Sequence, residues 1–188
     1  MKKTVLGLAL LITCSTTLWA QDIHKQPSKR DFRMGTGLSL LGTGDLYALQ
    51  VESEVNYKWL PHLAVSGSGT VGASPFNPED NATFLQFNGN AFLSPFRNDR
   101  LIDFRVGGGL SYYFIKDLQP NYFSFDESDV LIRFDENSVL RHALGFNIIV
   151  ETTFQLRDGF LLGTKAFTQP YLNGDINTGV MAKVGVQF

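Results

Sequence analysis

From residue 33 to residue 188 the chain alternates apolar and polar side chains with a period of two, in eight successive segments. The second segment is the clearest. Tyr47, Leu49, Val51, Val55, Tyr57 and Trp59 alternate there with Gln50, Glu52, Glu54, Asn56 and Lys58. The last segment runs the same way, with Val180, Ala182, Val184, Val186 and Phe188 against Met181, Lys183, Gly185 and Gln187. The pattern predicts strands at about 33–41, 46–59, 63–73, 83–94, 101–114, 141–155 and 160–170, and a final strand that follows the turn at 172–177 and ends at Phe188. Turn signals separate them: Gly42-Thr43-Gly44-Asp45, Pro61-His62, a segment 74–82 containing Pro75 and Pro78, Pro95–Arg100, and Arg157-Asp158-Gly159. One connection is long. Residues 115–140 mix acids with aromatics, and Tyr122–Phe125 and Val130–Phe134 fit the two arms of a hairpin turning at Asp126–Asp129.

Each strand has a greasy face and a polar face, and the polar face carries Glu52, Glu54, Lys58, Asp103, Arg105, Glu151, Lys165 and Lys183. Periodicity alone fits two closed barrels. In a soluble one the apolar set points inward around a ligand. In a membrane one it points outward to lipid. Aromatics decide between them. Tyr47, Tyr112, Phe114 and Tyr171 fall at one set of strand ends, and Tyr57, Trp59, Phe154, Phe160 and Phe188 at the other, as two interfacial girdles would. With the N-terminus on the periplasmic side, the longest connections, 74–82 and 115–140, both lie outside.

Composition agrees. The 188 residues suffice for one domain, only 18% are charged, 13% are aromatic, and mean hydropathy is −0.02. After the N-terminal segment no apolar run approaches the ~20 residues that a membrane helix needs. Lys2 and Lys3, an apolar Val5–Ile12 and a small residue at Ala20 predict a secretory signal, residues 1–20, cleaved before Gln21. Removing Lys2 and Lys3 from the 16 basic residues leaves 14 against 18 acidic, and the one cysteine, Cys14, leaves with them. Leu11-Ile12-Thr13-Cys14 also loosely resembles a lipidation motif, which Ile12 and Thr13 fit poorly. Residues 21–32 read as a periplasmic lead-in and 33–188 as the barrel.

The eight alternations, glycine-rich strand stretches such as Val106-Gly107-Gly108-Gly109-Leu110, and the Val184-Gly185-Val186-Gln187-Phe188 ending resemble the small eight-stranded outer-membrane barrels of the outer membrane protein A and X type. The resemblance implies an all-β, up-and-down, antiparallel barrel in the outer membrane of a Gram-negative bacterium, monomeric and surrounded by lipid. It also implies that Phe188 forms part of the signal read by the barrel-assembly machinery. Relatives of the protein A type often carry a peptidoglycan-binding domain after the barrel, and no such role is expected here.

Three activities are weighed on the residues. Charges of both signs inside a narrow barrel are expected to pair and plug the lumen, because eight strands leave room only for side chains. That reading gives a structural or surface-interaction protein. Its contact element is the 115–140 loop, through Tyr122, Phe123, Phe125, Ile132 and Phe134, with a protein partner docking by strand addition. The alternative is a small-solute or ion channel through rearranging charge pairs. A third is a lipid A-modifying enzyme, for which His142 with Ser128, Ser138 or Glu136 is the candidate set. No motif of such enzymes surrounds His142, so no catalytic residue is assigned. The loop acids Asp126, Glu127, Asp129, Asp135 and Glu136 match no cation-loop spacing, so no metal and no cofactor is expected, and no nucleic-acid partner.

Overall fold

The computed structural model describes residues 29–42, 46–74, 82–96, 101–118, 122–125, 131–135, 138–156 and 159–188, with side chains at 117–138 outside the description. The expected signal segment, the turn at 126–129 and the lipidation question at Cys14 all lie outside these residues. Among the described residues there are ten strands: β1 Arg30–Leu41, β2 Leu46–Leu60, β3 Leu63–Ala73, β4 Ala82–Leu93, β5 Ile102–Leu118, β6 Tyr122–Phe125, β7 Leu131–Asp135, β8 Ser138–Gln155, β9 Phe160–Pro170 and β10 Ile176–Gln187. Eight of them close a barrel in the order β1-β10-β9-β8-β5-β4-β3-β2, every pairing antiparallel, and β6 and β7 form a separate hairpin. Closure leaves the barrel wall without an edge.

The two faces fall as the membrane reading requires. In β2 burial alternates strictly: Tyr47, Leu49, Val51, Val55, Tyr57 and Trp59 face out, and Gln50, Glu52, Glu54, Asn56 and Lys58 face in. Trp59 is 68% exposed, whereas Glu54 and Asn56 are fully buried. The same inversion of a soluble protein's plan runs through β3, β4, β8, β9 and β10. An apolar exterior of this extent is stable only in lipid.

The structure departs from the sequence expectation chiefly in three ways. β1 begins at Arg30, ahead of the expected start at 33, because Asp31 and Arg33 turn into the lumen and pair with the last strand and with β2. Asp31 reads as part of the lead-in 21–32 only while its surroundings across the barrel are unknown. β5 and β8 run on to Leu118 and from Ser138, so the long connection is shorter than 115–140. Tyr171, expected in the outer girdle, is buried inside the barrel. The others hold: Tyr47 and Phe188 are exposed, and Tyr112 and Phe114 face out half-exposed.

Candidate functional site: a layered lumen beneath an outer ribbon

Read from the end that carries the termini, the inward side chains change chemistry in layers, with β3 and β4 contributing no charge. β5 gives Asp103, Arg105, Ser111, Tyr113 and Ile115; β4 gives Phe92, Asn90, Asn88, Gln86 and Phe84; β8 gives Thr153, Glu151, Ile149, Asn147 and Ala143. Charges fill the inner half, amides the middle, and apolar side chains with two tyrosines the outer mouth.

The charge layer holds five acids, Asp31, Glu52, Glu54, Asp103 and Glu151, and five bases, Arg33, Lys58, Arg105, Lys165 and Lys183, all buried. Arg33 donates to Asp31 at 2.6 Å and to Thr153 Oγ1 at 2.8 Å, and pairs closely with Glu151. Arg105 reaches Glu151 at 3.0 Å and Asn56 at 2.9 Å, with its guanidinium 4.0 Å over the Phe92 ring. Lys183 pairs closely with Glu54 and lies 3.0 Å from Glu52, which also takes Lys165 at 2.6 Å. Asp103 accepts from Ser94 at 2.8 Å, and Lys58 sits at the inner mouth within electrostatic reach of Asp31 and Asp103. All eight charges that the alternation assigns to the lumen are therefore inside it. Asp31, Arg33 and the ring of Phe92 were missed. The signal that could have found the first two is simple: the same period of two continues back to residue 31.

Above this layer, Gln86 donates to Gln169 at 2.9 Å, Asn147 to Asn90 at 2.6 Å, and Asn177 to Gln86 at 3.2 Å. At the outer mouth Leu41, Ala48, Ala82, Phe84, Tyr113, Ile115, Ala143 and Tyr171 pack into one apolar cluster. The lumen is thus closed twice, by paired charge below and by packed side chains above.

On the outer side β5 and β8 stay paired up to Leu118 and Ser138, beyond the last β8–β9 ladder pair, Ile148–Thr168. A bridge from Gly145 to Tyr171 and a bond from Leu172 N–H to the Leu144 carbonyl follow. Past these, among the described residues, no strand pairs with that edge of β8. Since the Leu144 carbonyl faces the edge, Leu140 and His142 present their backbone groups to it as well. Such an edge is not tolerated in hydrocarbon, so the apolar slab ends near Leu144. The β6–β7 hairpin lies in the same connection. It pairs Tyr122 with Asp135, Phe123 with Phe134 and Ser124 with Arg133, then slips register so that Phe125 meets Leu131. Its second arm is Leu131–Asp135, one residue later than expected. Of Tyr122, Phe123, Phe125, Ile132 and Phe134 the backbone alone is described. His142 faces outward beside the rings of Tyr112 and Phe114, at 6.1 and 6.3 Å. No described hydroxyl or carboxylate hydrogen-bonds to it, and Ser128, Ser138 and Glu136 lie outside the described side chains.

An outward apolar belt, a charge-paired interior and a closed eight-strand wall define a transmembrane β-barrel of the bacterial outer-membrane kind. Solved structures agree on the fold. The chain is similar to Neisserial surface protein A, with a TM-score of 0.67 and 10% identity over 87% of this chain and 100% of that one. It is similar to Ail, the attachment invasion locus protein of Yersinia pestis, with a TM-score of 0.60 and 12% identity over 87% and 100%. It is also similar to OprG from Pseudomonas aeruginosa, with a TM-score of 0.57 and 11% identity over 89% and 99%. No family model matches the chain, and no curated protein matches it significantly.

Proposed function

We propose that this barrel is a surface-interaction protein of the outer membrane, with the β5–β8 ribbon and the β6–β7 hairpin as its contact element and the charge layer as a static plug of the lumen. The observation that carries this reading is the ribbon with a β8 edge that, among the described residues, no strand pairs above the slab. Edge backbone groups at Leu140 and His142, beside exposed Leu140 and Leu172, suit an extended partner segment added as a further strand. Among similar structures, Ail is described as an attachment invasion locus protein and has been solved with the heparin analogue sucrose octasulfate. The acids Asp126, Glu127, Asp129, Asp135 and Glu136 between β5 and β8 do not suit a sulfated polyanion, so a protein partner is favoured here.

The test is cross-linking and affinity purification from cells, comparing the intact chain with one in which residues 115–141, the outer ribbon with its hairpin, are replaced by a Gly-Asn turn between Phe114 and His142. Both baits must first shift on unheated gels as folded barrels do. A partner captured only by the intact chain supports the proposal. No ribbon-dependent partner from a folded bait refutes it.

A further inference from the structure

The turn between β9 and β10, Tyr171–Asp175, folds over the outer mouth. Tyr171 and Asp175 are buried while Leu172 is 73% exposed. Asp175 ties the turn to two strands of the wall and to itself. It accepts from Tyr113 on β5, from Arg141 on β8 at 3.1 Å, and from Asn173 at 2.7 Å. Tyr171 lies against Tyr113, ring centroids 4.1 Å apart, and its hydroxyl is 3.1 Å from Ser111. Gly174, at φ +90°, allows the sharp return, and Ile176 N–H reaches the Gly42 carbonyl at 2.7 Å.

We infer that this turn is a lid over an outward-facing polar vestibule, held shut by a clasp of Asp175, Tyr113 and Arg141. The second observation lies directly beneath it. Ser39 Oγ, Gln50 Nε2 and Asn177 Oδ1 are buried on the adjoining walls of β1, β2 and β10, and none has a hydrogen-bond partner among the described residues. Closing the lid therefore leaves three polar atoms desolvated and unpaired, which disfavours the closed state. Hydration through an open mouth relieves them. Charge-assisted bonds in the clasp oppose this, so two states of the mouth are in balance. The charge layer below is the floor. An open lid thus makes a dead-end vestibule and not a pore, and its amide and hydroxyl wall takes small uncharged polar solutes.

The experiment uses Ser39→Cys as a near-isosteric probe in a Cys14→Ser background, folded in lipid vesicles and labelled with methyl methanethiosulfonate. Ser66→Cys, in the inner half, is the control. Arg141→Gln and Asp175→Asn each open the clasp, and folding is checked by gel shift. Loss of one charge-assisted contact should speed labelling at position 39 by about tenfold or more and leave position 66 within about twofold. Unchanged rates at position 39 in folded clasp variants overturn the inference. So does equal acceleration at both positions, which would mean a loosened barrel and no lid.

Discussion

Glu151→Gln tests whether the inner lumen is held by charge balance. Glu151 is 1% exposed and is surrounded by Arg33, by Arg105 at 3.0 Å and by Lys183 at 3.6 Å. Making it neutral leaves five buried bases facing four acids. Removing one member of a buried ionic network typically costs about 3–5 kcal/mol, because a desolvated charge stays behind. Arg105→Met alone should cost a similar amount by leaving the opposite excess. The double variant is the informative one. In it Asp31 keeps Arg33, Glu54 keeps Lys183, and Glu52 keeps both Lys165 and Lys183. Charge is balanced again, so the double should cost less than the sum of the singles by about 2 kcal/mol, within the range of coupled neighbours. The assay is urea unfolding in lipid vesicles followed by the fluorescence of lipid-facing Trp59, with gel shift as a second probe. Additivity within about 0.5 kcal/mol would refute the claim that these two side chains stabilise the barrel as one network.

The remaining predictions use the other layers of the wall. A Cβ at Gly109 would strike the Gly89 carbonyl and approach Asn90 Oδ1, so Gly109→Ala should destabilise by about 1–3 kcal/mol in the same titration. A Cβ at Gly67 meets nothing within 4 Å, so Gly67→Ala should be neutral or stabilising by about 0.4–1 kcal/mol. Ile148 is 57% exposed on the belt, and Ile148→Arg should destabilise the barrel in lipid by up to about 2–4 kcal/mol. In planar bilayers the doubly closed lumen should show no discrete conductance steps. Steps that change with Glu52→Ala or Lys183→Ala would transfer the functional reading to a channel.

Much of this architecture is written in period-two alternation, since that period records which side of a wall a residue faces. Glu52, Glu54, Lys58, Asp103, Arg105, Glu151, Lys165 and Lys183 could all be assigned to one face without knowing strand order. What alternation omits is height. Tyr171 follows β9 in phase with its inward face and also stands among outer-end aromatics; register places it against Gly145 and Tyr113, inside the mouth. Asp31 and Arg33 differ: the period of two runs back to residue 31, but an acid–base pair at the start of a strand shows no lumen role until Thr153 and Glu151 arrive from residues far along the chain. The same limit governs the outer mouth. Asp175 in a turn reads as a solvated loop acid, and only the β10-β9-β8-β5 order of the wall brings Arg141 and Tyr113 to it. Features made by one strand are legible in sequence. Features made by several strands meeting across a lumen depend on a stagger that no single segment encodes. In a barrel plugged by its own side chains, the lumen contacts that set stability and close the mouth belong to the second kind.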